Sequence, residues 1–152
     1  MSRAERAKAY FLEGYACSQA VMLAFADVCG LDEKTIAKVM LPFGGGMGRL
    51  RLTCGAVSGM AGVIGMTCSS DENLPDNKKK VYSIVQDVCA KFKEQCGSLI
   101  CAELLANMKV PVEIGGNAEE RTKAYYQKRS CGDMVALAAQ ITEEYLKENG
   151  IL

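Results

Sequence analysis

Four glycines, Gly55, Gly59, Gly62 and Gly65, recur at spacings of three and four within the apolar run from Cys54 to Met66. On a helix those spacings put all four on one side. Glycine in a helix interior costs roughly 1 kcal/mol relative to alanine. A bare face is worth that cost where a second backbone must come very close. The run therefore predicts a helix, capped by Thr53, at the centre of the molecule and more buried than any other. Small residues at this spacing also occur in membrane dimers, but the run is too short to span a bilayer.

The rest of the chain reads as helices around that centre. Ser2-Arg3-Ala4-Glu5 is a capping box, and Gly14 suits the end of a helix over 3–13. Residues 17–29 are apolar on a helical period through Val21, Leu23, Phe25 and Val28, closed by Gly30. Asp32 caps a short helix running to Met40, stopped by Pro42. Gly44-Gly45-Gly46-Met47-Gly48 is too rich in glycine for regular structure. A long helix is expected over 75–96, with a stripe of Val81, Ile84, Val85, Val88 and Phe92. Ser98 caps a shorter helix ending near Met108, and Asn117-Ala118-Glu119-Glu120 is a second capping box. A last helix opens at Ser130 or Cys131, with Val135, Ala138, Ile141 and Tyr145 on its face. No stretch alternates with a period of two for long. The expectation is an all-α fold: a single compact domain over 1–152, of seven or eight helices around the glycine-bearing one.

Composition narrows the chemistry. Eighteen basic residues balance eighteen acidic ones, which argues against a nucleic-acid or membrane-surface partner. The chain of 152 residues contains no histidine. That removes Ser-His-Asp and Cys-His catalysis, histidine-ligated zinc or haem, and the commonest general base. Residues 1–13 are charged and amphipathic, with no apolar signal core, so a cytoplasmic location is expected, where thiols stay reduced.

Eight cysteines then become the outstanding feature. In that compartment, cysteine enrichment points to metal binding or redox chemistry, with plain burial as the alternative. Cys17, Cys54, Cys101 and Cys131 each fall in the first turn of an expected helix or beside its cap. A helix N-terminus stabilises a thiolate and lowers its pKa. Cys29 and Cys96 fall at C-terminal ends, Cys89 lies mid-helix, and Cys68 follows the central helix. The first four are therefore the candidate thiolates. They stand 37, 47 and 30 positions apart, and no Cys-x-x-Cys pair occurs. That spacing fits neither the close pairs usual in structural zinc sites nor thioredoxin or ferredoxin motifs.

Five segments together resemble a known family. They are Phe11-x-x-Gly14-x-x-Cys17-Ser18-Gln19-Ala20-Val21, Phe43-Gly44-Gly45-Gly46-Met47-Gly48, Cys54-Gly55-Ala56-Val57-Ser58-Gly59, Gly97-Ser98-x-x-Cys101-x-Glu103-Leu104-Leu105 and Cys131-x-x-x-Val135. In this order they resemble the C_GCAxxG_C_C family of redox-active proteins. The family's four characteristic cysteines map onto Cys17, Cys54, Cys101 and Cys131. The family is similar to the iron–sulfur part of split-Soret dihaem cytochromes, and that similarity implies a [2Fe-2S] cluster on the four thiolates. With no Cys-x-x-Cys-His and no histidine, this chain cannot bind the haems of those cytochromes.

Three functions follow as expectations. The first is electron transfer through a [2Fe-2S] cluster held by Cys17, Cys54, Cys101 and Cys131, with a redox protein as partner. The second is a metal-free thiol oxidoreductase or sensor in which Cys54 attacks and Cys17 resolves. The third is a noncatalytic helical protein with a four-cysteine zinc site. Gly45 and Gly46, with Gly55, are the candidate cofactor-contacting glycines, because bare backbone can bring N–H donors up to sulfur. The glycine loop matches neither G-x-G-x-x-G nor a P-loop. Arg49 and Arg51, just before the central helix, would add positive potential near Cys54. Zero net charge and the bare glycine face are compatible with a homodimer.

Overall fold

A computed structural model describes all 152 residues. The fold is all-α. Its helices are α1 (Arg3–Leu12), α2 (Cys17–Leu23), α3 (Ala26–Cys29), α4 (Glu33–Met40), α5 (Gly55–Cys68), α6 (Pro75–Cys96), α7 (Cys101–Asn107), α8 (Lys123–Lys128) and α9 (Cys131–Glu148). A 3-10 turn over Leu41–Phe43 leads into the turn Gly44–Met47, where Gly45 and Gly46 have left-handed backbone. The extended structure is limited to one antiparallel bridge between Thr53 and Ile100. No helix is long and apolar enough to cross a membrane.

The core is centred on α2 and α5, with α1, α4, α6 and α9 packed around them. A Cβ on Gly59 would lie 2.8 Å from both the Ser18 carbonyl oxygen and Val21 Cβ, so α5 rides directly on α2 there. One turn on, Gly62 sits against Met22 and Met40. Gly65 faces nothing within 4 Å. Gly59, and Gly55 with the Ser18 N 3.2 Å from where its Cβ would be, therefore do what their spacing predicts, whereas Gly62 meets only methionine side chains. The contact they make is internal to the chain, so the glycine face supplies no argument for a dimer. Burial is also shared differently from expectation. Every residue of α2 from Ser18 to Leu23 is buried, whereas Gly62, Gly65 and Met66 of α5 are not. The short helix is enclosed by α1, α4, α5 and α9, and so it is the more buried of the two.

The polar residues of α2 are satisfied by the end of α4. Ser18 Oγ donates to the Met40 carbonyl at 2.6 Å, and Gln19 Nε2 donates to the Ala37 carbonyl at 2.7 Å. Gln19 Oε1 also accepts from the Ala16 N–H at 2.8 Å, closing the first turn of α2. Each bond removes an orphan that would otherwise be costly to bury.

Four boundaries differ from expectation, each for a local reason. The 17–29 helix breaks at Phe25: Arg3 Nη1 takes the Ala24 carbonyl at 2.8 Å, and the Arg3 guanidinium lies over the buried Phe25 ring at 5.2 Å. Thr53 is not a cap. It is drawn into the bridge to Ile100, and Cys54 becomes the N-cap of α5, its N–H donating to the Leu99 carbonyl at 2.8 Å. Ser98 does not open α7, which starts three residues later; its Oγ accepts from the Ile100 N–H and donates to Glu103. The Asn117–Glu120 box does not open a helix either. Glu119 pairs instead with Arg129 and Arg49, and α8 starts at Lys123, capped by Thr122, whose hydroxyl accepts from the Tyr125 N–H.

Candidate functional site

Cys17, Cys101 and Cys131 are the first residues of α2, α7 and α9, and Cys54 caps α5. All four line one cavity of about 290 Å³. The other cysteines do not: Cys29 and Cys68 are buried elsewhere, and Cys89 and Cys96 lie half-buried on α6. All eight are free thiols. No three Cys, Asp or Glu side chains are grouped to hold a single metal ion.

The glycines make room for these sulfurs. Gly46 has a φ of 71°, and a Cβ on it would lie 2.6 Å from both Cys101 Cβ and the Leu52 N. Gly55 lies hard against Cys17, a Cβ there falling 3.2 Å from Cys17 Cβ, closer than ordinary van der Waals contact. Gly45 also lines the cavity, and its carbonyl accepts from the Arg51 N–H at 3.1 Å. The N–H groups that act on a sulfur are those of Ala56 and Val57, in the first turn of α5, and they act on Cys54.

Four arginines line the same cavity: Arg49, Arg51, Arg121 and Arg129. Met47, Arg49 and Arg51 all have left-handed backbone, unusual for residues other than glycine. Arg51 lies beside Cys101 rather than Cys54, its Nη1 donating to Cys101 Sγ at 3.7 Å. Arg49 pairs with Glu113 at 3.2 Å and Glu119 at 3.6 Å, and its Nε is buried without a partner. Arg121 donates to the Phe11 and Tyr15 carbonyls, both at 3.1 Å, tying the end of α1 to the start of α2. Tyr125 stacks between Arg121 at 5.0 Å and Arg129 at 4.7 Å. Sequence reasoning missed Arg121, Tyr125, Arg129 and Glu119. Arg121, Tyr125 and Arg129 stand four apart in sequence, but only Tyr125 lies in α8; Arg121 precedes the helix and Arg129 follows it in extended backbone, so helical spacing did not carry the signal.

These surroundings divide the thiols. Burial pushes Cys54 up to about 12, against the pull of the Ala56 and Val57 N–H groups. Burial also raises Cys101, opposed by its bond from Arg51. Cys131 moves the other way, down to about 7. The Cys17 thiol donates to its sulfur, and Arg129, Arg121 and Arg51 add positive potential, together outweighing burial. Cys17 is raised in turn, first by that same bond and then by burial. The expectation that all four helix N-termini yield thiolates is corrected here. In the metal-free chain it holds for Cys131 alone. Outside the cavity, burial raises Cys29 to about 11 and also raises Cys89 and Cys96.

A family model described as "Putative redox-active protein (C_GCAxxG_C_C)" matches residues 15–145. The chain belongs to that family. The match spans all four cavity cysteines, the glycine turn and most of α9. No curated protein and no solved structure matches the chain.

Proposed function

We propose that this protein transfers electrons through a [2Fe-2S] cluster held by Cys17, Cys54, Cys101 and Cys131. The observation that carries the reading is the meeting of four helix N-terminal cysteines at one cavity. A cluster of this type takes four thiolates and needs no acid–base residue, which suits a chain without histidine. The charge of the walls supports it as well. Four arginines face one lining carboxylate, Glu119, with Glu113 paired to Arg49 from outside. That leaves a surplus of about two positive charges, which matches the two negative charges of an oxidised [2Fe-2S] core with four thiolates.

When bound, such a group supplies one-electron redox chemistry. The chain's own work is to bind and to insulate. The thiolates of Cys17 and Cys54 are set against the α2–α5 contact, those of Cys101 and Cys131 against the arginines. Leu104, Leu105, Met108 and Met134 line the same cavity with apolar surface, lowering the local dielectric and limiting water. The partner on this reading is another redox protein.

Anaerobic reconstitution with iron and sulfide, followed by metal analysis and a visible spectrum, tests this. The expected result is a coloured protein with about two iron and two sulfide per chain. A colourless chain that takes up only zinc, or no metal, overturns it.

One observation favours a second reading. Cys17 and Cys131 line the same cavity closely enough that each shifts the other's pKa, Cys17 up and Cys131 down. In the metal-free chain this pair can lose two electrons and two protons to a small disulfide, which becomes two thiols, and close into a Cys17–Cys131 disulfide. In this form Cys131 replaces Cys54 as the attacking thiol. Peptide mapping after exposure to oxidised glutathione tests it: a bridge joining any other pair counts against it.

A further inference from the structure

Among the four cavity arginines, Arg51 has an environment of its own. It is 5% exposed. Arg49 and Arg129 are paired to carboxylates, but the Arg51 guanidinium meets only the Glu113 carbonyl, at 3.0 Å from Nε, and the Cys101 sulfur. Its position against that sulfur is set by main chain. The Cys101 N–H donates to the Leu52 carbonyl at 2.6 Å, the Ala102 N–H donates to the Arg51 carbonyl at 3.1 Å, and the Arg51 N–H donates to Gly45. Arg51 also keeps a left-handed φ of 61°. Such a conformation is costly for a residue other than glycine and persists only where its surroundings enforce it. A buried cation without a carboxylate is screened less than an exposed one and acts more strongly on the nearest electron-rich atom.

We infer that Arg51 is a positioning residue of the redox centre: it holds Cys101 in place and raises the reduction potential of the group bound there. Hydrogen bonds and positive charge at a ligand sulfur favour the more negative, reduced state. The inference rests on the cluster reading, and the two fail differently. If the wild-type chain binds no iron, the cluster reading falls. If it binds iron and Arg51 does not set the potential, only this inference falls.

The test is a redox titration of reconstituted wild type, Arg51→Gln, Arg51→Lys and Arg49→Gln, with circular dichroism and iron content alongside. Arg51→Gln removes charge and fork. Its reduction equilibrium is expected to weaken at least tenfold, about 59 mV downward for a one-electron couple. Arg51→Lys keeps the charge but cannot reach sulfur and carbonyl together, and should recover part of the shift. Arg49→Gln, without a bond to sulfur, should move the potential less than Arg51→Gln. Equal potentials in wild type and Arg51→Gln overturn the inference, as does a larger shift in Arg49→Gln. Loss of iron from both Arg51 variants with helix content intact also overturns it, since Arg51 would then serve to retain the group and not to tune it.

Discussion

The two walls of the cavity use the same device to opposite ends. On one side Cys54 caps α5, buried where the glycine-bearing helix meets α2, with only main-chain N–H groups to favour its charge. On the other, Cys131 opens α9 beneath Arg129, Arg121 and Arg51 and accepts from the Cys17 thiol. Both sulfurs sit at a helix N-terminus, yet one thiol is pushed up to about 12 and the other drawn down to about 7. A helix terminus contributes about 0.3–1 kcal/mol, less than the roughly 1.4 kcal/mol that one pKa unit represents. The dipole is therefore the smaller force at both sites. Burial decides at Cys54; a thiol donor and three guanidiniums decide at Cys131.

The largest expected effect breaks the contrast outright, because cofactor binding needs both walls. Serine at Cys17, Cys54, Cys101 or Cys131 should abolish iron retention. Serine at Cys29, Cys68, Cys89 or Cys96 should cost only packing, on the order of 1 kcal/mol each. Iron content across the eight variants checks this, and a Cys68→Ser as damaging as Cys54→Ser would mean the cavity is not the site.

Next come the glycines that let each wall close. Gly46→Ala combines a left-handed backbone with a Cβ driven against Cys101 and the Leu52 N. The expected loss is on the order of 3 kcal/mol. Gly59→Ala pushes α5 off α2 for about 1–3 kcal/mol. Denaturant melts of the metal-free protein read both, and Gly59 should be the milder.

Alkylation sharpens the difference in charge. In reduced, metal-free protein, Cys131 should label first, with a rate rising through about pH 7. Cys54 should stay unreactive until well above pH 9, since its thiol keeps its proton toward 12. Linkage gives the matching signs. A lowered pKa means that Cys131 adds stability above the ordinary thiol value of 9.0, lost as pH falls through about 7. A raised one means that Cys54 adds stability below 9.0, lost as pH climbs toward 12. Mass mapping after brief iodoacetamide treatment at pH 6, 7 and 8 would expose a reversed order.

The smallest effect has the opposite sign. Gly65 lies in α5 with open space where a Cβ would be, so Gly65→Ala should stabilise by about 0.5–1 kcal/mol. A melting temperature that falls would mean that this end of the glycine face has a contact after all.

Much of this architecture was legible in the chain. The capping box at Ser2, the stripe of α6 and the glycines of α5 depend on neighbours three or four residues away, so periodicity finds them. The same locality placed four cysteines at helix starts. The misplaced features share one cause. Phe25, Thr53, Ser98 and Glu119 each leave their local role for a partner distant in sequence or in the next turn of chain: Arg3 for the Phe25 break, Ile100 for Thr53, Glu103 for Ser98, Arg49 and Arg129 for Glu119.

The sequence by itself therefore determined an all-α chain, its close central packing and four cysteines at helix starts, because helix period and helix-end chemistry are short-range. Only the tertiary structure decided which charges those sulfurs meet. Arg51 reaches Cys101 across fifty positions, and Arg121 and Arg129 reach the cavity from just before and just after α8. Burial and through-space charge depend on what the fold brings alongside, and no spacing along the chain encodes that distance.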